Sequence, residues 1–156
     1  MKHAFTRLAA TAALLALAAA AQAATDFSGT WVLNNDKGKN LGMVAAVKET
    51  IVIRQTADKY VAEHSSTFMM KTETRTVTYD LTGKPVPNEG AMGDKAETVA
   101  KWDGGKLVVT WSAEGAVPGT KSVKTETRSL SADGKTMTVV NSRPNKEPME
   151  MVYEKK

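Results

Sequence analysis

Almost all of the chain after residue 23 consists of short segments in which apolar and polar residues alternate with period two. This period places successive side chains on opposite faces and indicates β-strands that bury one face. The segments are rich in Thr, Val, Ile, Tyr and Trp, which suit a pleated, half-buried surface. We therefore predict strands near 28–34, 49–56, 59–65, 67–80, 95–102, 106–112, 120–130, 135–142 and 149–155. Only Leu41–Lys48 has a pattern suited to one or two helical turns.

The turns between these segments predict hairpins with a definite register. Gly104 and Gly105 occupy the centre of a two-residue loop, where backbone with positive φ is required. The cross-strand pairs that follow are Trp102 with Leu107, Ala100 with Val109, and Thr98 with Trp111. Ser131–Lys135 predicts a second hairpin, with Gly134 at the position of positive φ. The stretch 81–94 contains two prolines and three glycines, and we expect it to be an exposed, mobile loop.

So many antiparallel strands in one small domain must bury one face and protect their edges. Closing the sheet on itself achieves both. The predicted fold is all-β, an antiparallel up-and-down barrel of about 8–9 strands, and a two-sheet sandwich is the alternative. An outer-membrane barrel is excluded because strands such as Lys71–Tyr79 carry charges along one face and Thr along the other, so that neither face suits lipid.

The first 23 residues have the features of a secretory signal peptide. Lys2 and Arg7 precede an uncharged run from Leu8 to Ala21, and Ala21-Gln22-Ala23 fits the small-x-small cleavage rule. The run is shorter than the ~20 residues that a spanning helix needs. We predict cleavage after Ala23, a single domain over 24–156, and a periplasmic or secreted product.

Composition excludes several classes of function. The chain has no cysteine, which rules out a lipoprotein anchor, disulfides and thiolate chemistry. Removing Lys2 and Arg7 lowers the formal net charge from +4 to +2. This charge is too small to indicate a nucleic-acid-binding protein. His64 is the only histidine after residue 23, and Gly-x-Ser-x-Gly is absent from the sequence. We therefore predict a protein that is not an enzyme and has no cofactor, with His64 facing solvent or satisfied on its strand.

Methionines raise the question of a copper site. Met149 and Met151 share a strand face, and Met69 and Met70 follow His64 closely. Thioethers suit Cu(I), but flexible methionines on a strand face also fill a core or line a cavity. We favour the second interpretation and predict no metal site.

One five-residue sequence occurs twice: Lys71–Arg75 is repeated without change as Lys124–Arg128. Each copy ends a unit that reads as a three-strand meander, although chance in a chain rich in Thr, Lys and Glu is an alternative. The Lys-x-Glu-x-Arg pattern suggests ion pairs along one strand face rather than an acid–base pair. If that face points outward, it is a solvated surface. If it points inward, Arg75 and Arg128 can hold an anionic head group by charge-assisted hydrogen bonds.

Several short motifs, taken in order, resemble a known superfamily. They are Phe27–Leu33 with its Gly-x-Trp, the Trp-Asp-Gly hairpin at 102–104, Leu-Ser-x-Asp-Gly-Lys-Thr at 130–136 and Val-Tyr-Glu-Lys at 152–155. The chain resembles the calycins, the lipocalin and fatty-acid-binding superfamily, and most closely small exported bacterial lipocalin-like proteins. The resemblance implies a barrel with an internal cavity, with Trp31 plugging one end. It also implies a late Arg that covers this Trp, for which Arg128 and Arg143 are candidates.

The resulting prediction is an exported protein that binds a small hydrophobic or amphipathic ligand in the barrel. Apolar side chains would supply most of the contact and one or two polar groups the anchor. The predicted lining residues are Phe68, Tyr79, Trp111, Met149 and Met151, and the predicted anchors are Arg75 and Arg128. The alternative is an envelope chaperone, inhibitor or adaptor that uses its rim or an edge strand. An internal cavity would favour the first function, and a solid core the second.

Overall fold

The computed structural model describes residues 24–156, which form ten β-strands and two short 3-10 helices. The predicted signal peptide, 1–23, lies outside the described residues. The strands are β1 Gly29–Leu33, β2 Lys48–Gln55, β3 Lys59–Phe68, β4 Lys71–Asp80, β5 Val86–Glu89, β6 Lys95–Asp103, β7 Lys106–Glu114, β8 Lys121–Leu130, β9 Thr136–Ser142 and β10 Met149–Lys155. The 3-10 helices are Asn35–Lys37 and Gly42–Ala46, and the second lies within the stretch predicted to be helical.

All ten strands belong to one antiparallel sheet. Strands β1 to β4 pair with one another in chain order, and so do strands β5 to β10. The first and last strands, β1 and β10, also pair, for example Trp31 with Lys155. The sheet order therefore runs from β4 through β1 and β10 to β5, and its two ends meet. The all-β up-and-down barrel is confirmed, and the sandwich is not formed.

The number of strands is ten rather than 8–9, because the stretch 81–94 contains β5. The prediction of an irregular loop was wrong for 86–89, whereas 81–85 and 90–94 on either side are turns without regular structure. Val86 pairs with Thr98 and Asn88 with Ala96, so that β5 extends the ladder of β6. Pro87 is compatible with this position because β5 is an edge of the ladder, where a missing backbone N–H is tolerated.

The seam between β4 and β5 is joined through the side chain of Asn88. Its Oδ1 accepts a hydrogen bond from the backbone N–H of Thr78 at 2.9 Å, and its Nδ2 donates to the backbone carbonyl of Thr78 at 2.8 Å. Nδ2 also lies 2.7 Å from Oγ1 of Thr98 on β6. The amide of Asn88 thus occupies the place that a peptide group of a neighbouring strand would take in a complete ladder.

Both predicted hairpins form. The Gly104-Gly105 turn pairs Trp102 with Leu107, and the same ladder continues to Ala100 with Val109 and Thr98 with Trp111. Gly104 and Gly105 both have positive φ, of 52° and 82°. The register therefore follows the prediction pair for pair.

One end of the barrel is closed by apolar side chains. Trp31 and Phe27 are fully buried there, and Nε1 of Trp31 donates to the carbonyl of Phe27 at 2.8 Å. The Nζ of Lys155 lies 5.2 Å from the centre of the Trp31 ring. The expectation that Arg128 covers Trp31 was wrong, because Arg128 lies over Tyr60 and Tyr79. Lys155, on the strand paired with β1, lies over the Trp31 ring instead.

Candidate functional site

Both Lys-x-Glu-x-Arg strands present their charged face to the barrel interior. On β8, Glu126 and Arg128 are buried, and on β4 the same alternation continues from Arg75 to the buried Val77 and Tyr79. At the end opposite Trp31, inward residues such as Lys71 and Glu73 become exposed, and we call this the open end. Of the two orientations that the sequence allowed, the structure has the inward one.

The deeper of the two charged groups is centred on Arg128. Its guanidinium forms an ion pair with Glu126 and donates to the hydroxyls of Tyr60 and Tyr79. It also lies 5.2 and 5.6 Å from the two tyrosine ring centres, a cation–π distance. Burial raises the pKa of Tyr60 to about 12, so its hydroxyl stays protonated. The charge of Arg128 is therefore already matched within the protein.

A second buried group is centred on Glu49 of β2. Its carboxylate accepts hydrogen bonds from His64 Nδ1 at 3.0 Å, Ser66 Oγ at 2.9 Å and Tyr153 Oη at 2.6 Å. Burial alone would raise the pKa of Glu49, but the interactions with His64, Tyr153 and Ser66 outweigh it and bring the pKa to about 2. Glu49 is therefore a carboxylate at any physiological pH, and it holds three different strands together.

His64 is buried, and its ring is neutral. Burial lowers the pKa of His64, and the neighbouring charges of Arg75 and Arg128 act in the same direction against the opposing effect of Glu49. Nδ1 is used by Glu49, while Nε2 has no hydrogen-bond partner in the described part of the chain. The prediction that His64 faces solvent was wrong, because the alternation along β3 places it on the inward face with Tyr60 and Ala62. The alternative of a satisfied strand histidine holds for Nδ1 but not for Nε2.

On the inward face, three cations form no ion pair within residues 24–156: Arg75, Lys124 and Lys155, of which Lys155 lies over the Trp31 ring at the closed end. Arg75 lies across β3–β4 from His64, and Lys124 pairs across β7–β8 with Trp111. The Nζ of Lys124 lies 4.4 Å from the centre of the Trp111 ring. Burial lowers the pKa of Lys124 and outweighs the opposing effect of the charges on Glu126 and Asp94. Since the carboxylate of Glu49 is also charged and forms no ion pair with Lys or Arg, Arg75 and Lys124 together give this region a small excess of positive charge.

The structure brings three of the seven predicted site residues into contact: Tyr79, Trp111 and Arg128. Tyr79 and Trp111 are buried with ring centres 6.1 Å apart, and Arg128 lies beside Tyr79. Arg75 lies one inward position above Val77. Met151 packs on the core, with its Sδ 3.6 Å from the hydroxyl of Tyr153, and Met149 follows on the same face. Phe68 does not join this group, because it ends β3 at the open end with 37% of its surface exposed.

An open cavity of about 1250 Å³ lies at the β4–β5 seam and extends over β6 and β7 to the start of β8. Inward residues Ala96 and Ala113 line it, and on their strands the next inward residues are Thr98 and Trp111. None of the seven predicted site residues lines this cavity. Thr76, Glu97 and Ser112, which also line it, lie on the outward faces of their strands, so the cavity is open to the outside at the seam.

Solved structures with the same architecture identify the fold. The fluorescent protein UnaG matches with a TM-score of 0.68 at 18% identity, over 83% of this chain and 97% of that chain. The chain has the calycin fold. Lipid binding protein 8 of Caenorhabditis elegans matches with a TM-score of 0.65 at 12% identity, over 83% of this chain and 95% of that chain. The Schistosoma mansoni fatty acid binding protein in complex with arachidonic acid matches with a TM-score of 0.64 at 19% identity, over 83% of this chain and 96% of that chain.

At these identities the likeness extends to the fold alone. No protein-family model matches this chain, and comparison with curated proteins by sequence gives no match. Within residues 24–156, no helix is long and apolar enough to cross a membrane. The chemistry of this protein therefore has to be argued from its own side chains.

Sequence reasoning missed Glu49, Tyr153 and Lys124 as parts of the barrel interior. A usable signal was present on β2, where Glu49 continues the apolar face of Ile51 and Ile53. A carboxylate in phase with buried residues requires partners, since an isolated buried charge is very costly. The identity of those partners, from β3 and β10, depended on barrel closure.

Proposed function

We propose that this protein binds a small amphipathic molecule with an anionic head group inside its barrel. The observation that carries the proposal is the pair of inward cations without carboxylate partners, Arg75 and Lys124. A guanidinium in a partly desolvated site binds a carboxylate through charge-assisted hydrogen bonds. Arg128 contributes less charge to such a head group because Glu126 already neutralises it.

Apolar and aromatic side chains deeper in the barrel supply the remaining contact. Tyr79 and Trp111 belong to the core cluster beside the polar groups and Met151 packs against it, so these side chains would supply the apolar contact of a ligand held by few polar anchors. The names of two structures with the same fold, a fatty acid binding protein and a lipid binding protein, support a hydrophobic ligand. We propose binding rather than catalysis as the activity.

The head-group test compares two inward cations with one outward cation. Arg75→Met and Lys124→Met remove charge and retain most of the side-chain volume, and Arg54→Met removes an exposed cation from β2 as the control. Titration with a fluorescent fatty acid should show roughly tenfold weaker binding for each inward variant, about 1.4 kcal/mol, and no change for Arg54→Met. Absence of saturable binding by the unmodified protein, or unchanged affinity in both inward variants, would overturn the proposal.

We also propose that the protein works outside the cytoplasm after cleavage of the predicted signal peptide. The support is the uncharged run that ends at Ala21-Gln22-Ala23. N-terminal sequencing of exported material should start at Ala24, and an intact Met1 in a membrane fraction would contradict this.

A protein-interaction role is the second candidate function. It is favoured by the apolar side chains exposed at the turns of the open end, among them Met69, Met70, Met92 and Val117. Native mass spectrometry of protein purified from its own cell envelope separates the two functions. A co-purified small molecule of defined mass supports the ligand, and a stoichiometric protein partner with an empty barrel supports the interaction role.

A further inference from the structure

Three buried polar atoms on the inward face have no hydrogen-bond partner among the described residues. They are Nε2 of His64, Nε1 of Trp111 and Nε of Arg128. Their side chains are 5%, 3% and 2% exposed, so bulk water does not reach them freely. Buried polar atoms in native proteins are nearly always satisfied, and an exception points to a bound molecule or to ordered water.

The hydrogen bonds of Glu49 determine what His64 can accept or donate. A carboxylate has only acceptor atoms, so all three of its partners must donate to it. Nδ1 of His64 therefore carries the ring proton, and the 3.5 Å separation from Arg75 is a contact rather than a hydrogen bond. In the neutral ring, Nε2 then carries a lone pair and can only accept, so it requires a hydrogen-bond donor.

The other two atoms have the opposite requirement. Trp111 Nε1–H and Arg128 Nε–H are donors only, and they require acceptors. The rings of Tyr79 and Trp111 are in contact, and Arg128 lies against Tyr79, so both donors belong to one region of the interior. Arg128 is also close enough for its charge to act on His64. One interior region thus offers an acceptor and two donors.

A hydroxyl group satisfies both requirements, because it donates one hydrogen bond and accepts two. An unsubstituted alkyl chain satisfies neither. If such a chain displaced ordered water from this region, it would leave three buried polar atoms unpaired, which lowers affinity.

We propose that the ligand is an oxygenated amphiphilic acid, with a hydroxyl group in its apolar body that donates to Nε2 of His64 and accepts from Trp111 or Arg128. This inference rests on the proposed function, in which Arg75 and Lys124 hold the acidic head group. The inference narrows the ligand class from amphipathic molecules with an anionic head group to those that also carry a hydroxyl group in the apolar body. The side chain that distinguishes the two classes is His64.

The experiment compares hexadecanoic acid with its mid-chain monohydroxy and dihydroxy derivatives, by displacement of a fluorescent fatty acid. At least one hydroxylated acid should bind roughly tenfold more tightly than the parent acid, the gain expected for satisfying buried partners. Trp111→Phe removes one donor without touching the Glu49 hydrogen bonds and should reduce the preference. His64→Phe should abolish it, and Arg54→Met should leave it unchanged.

A second measurement covers the case in which His64→Phe does not fold. The ¹⁵N resonance of His64 Nε2 in the unmodified protein should move from the position of a free lone pair toward that of a hydrogen-bonded nitrogen when the hydroxylated acid binds. Hexadecanoic acid should not move it in this way. Equal affinity for all these acids, with no change of the Nε2 resonance, would overturn the inference while leaving the proposed function intact. No binding of any acid would overturn the proposed function itself.

Discussion

At the residue scale, the turn between β3 and β4 is unusual because two methionines occupy a left-handed backbone conformation. Met69 and Met70 have φ of 47° and 65°. They join Phe68 to its partner Lys71 in a two-residue hairpin loop, a position that favours Asn-Gly. For residues other than glycine, this conformation is strained and lowers the stability of the folded state.

Replacing Met69 by Asn and Met70 by Gly should therefore stabilise the protein. We expect the free energy of unfolding in urea to rise by about 1–2 kcal/mol for the pair. Met43→Asn is the control, since Met43 is also exposed but has no positive φ. A double variant no more stable than Met43→Asn would mean that the turn stores no strain.

The second prediction at this scale concerns acid stability and Glu49. Its pKa is lowered from the usual 4.5 to about 2, so its contribution is complete above pH 4.5 and is lost as the pH falls toward 2. His64 acts in the same direction. Burial lowers its pKa below the usual 6.5, so the folded protein loses stability as the pH falls below 6.5. Glu49→Gln should cost roughly 3 kcal/mol at neutral pH and remove most of the loss between pH 4.5 and 2.

Urea titrations at a series of pH values check this. Glu73→Gln is the matched control, because Glu73 is paired with Lys71 at the exposed open end. Lys71 lowers the pKa of Glu73, but at an exposed site where solvent screens the interaction, so Glu73→Gln should change the pH profile far less than Glu49→Gln. A parallel profile for Glu49→Gln and the unmodified protein would show that another group governs acid unfolding.

At the element scale, the two identical Lys-x-Glu-x-Arg sequences behave differently because their strands end at different depths. After Arg75, β4 continues through Val77 and Tyr79 to the closed half of the barrel, whereas after Arg128 only Leu130 remains on the inward face of β8. Arg128 therefore lies deeper and is buried with Glu126, while Arg75 stays nearer the open end. The two meanders, β2–β4 and β6–β8, are repeated in topology but not in burial.

The seam between β4 and β5 gives the element-scale prediction. Asn88→Ala leaves the backbone N–H and carbonyl of Thr78 without their side-chain partners. We expect a loss of about 1–3 kcal/mol and faster hydrogen exchange of the Thr78 amide. Glu89→Ala on the same strand should change neither quantity, since Glu89 is exposed. Unchanged protection of Thr78 in Asn88→Ala would mean that the ladder closes without Asn88.

At the scale of the whole molecule, Trp31 closes one end of the barrel and should be among its most sensitive positions. Trp31→Ala should reduce the free energy of unfolding by ~3–5 kcal/mol, the range for deleting a large buried aromatic side chain. Val32→Ala, at the neighbouring and outward position, is the control. A loss below ~1 kcal/mol in urea unfolding of Trp31→Ala would contradict a structural role for this residue.

The closed barrel also explains how the interior becomes polar at one end and apolar at the other. Phe27, Trp31 and Leu107 fill the closed end, and the buried charges of Glu49 and Glu126 lie toward the open end. A ligand that enters from the open end or the seam would meet Lys124 and Arg75 before the tyrosines. This arrangement suits a molecule whose head group remains near the entrance and whose body lies deeper.

The amino-acid sequence by itself determined the strands, the turns and the hairpin register, because these depend on neighbours close in the chain. Period-two alternation and the Gly104-Gly105 loop were sufficient to predict the Thr98–Trp111 pair. Trp31 as a buried plug followed from the resemblance to calycins. Short-range pattern could not predict β5, since its four residues include Pro87 and become a strand only by pairing with β6.

Tertiary structure alone decided which face of each strand became the interior and which polar groups met there. Alternation gives two faces but does not say which is inside when both contain polar residues, as on β4 and β8. Tyr153 reaches Glu49 from 104 positions away in the chain, and it does so because β1 pairs with both β2 and β10. A hydrogen-bond partner at that separation leaves no local trace in the sequence, so the candidate site could be seen only after the barrel had closed.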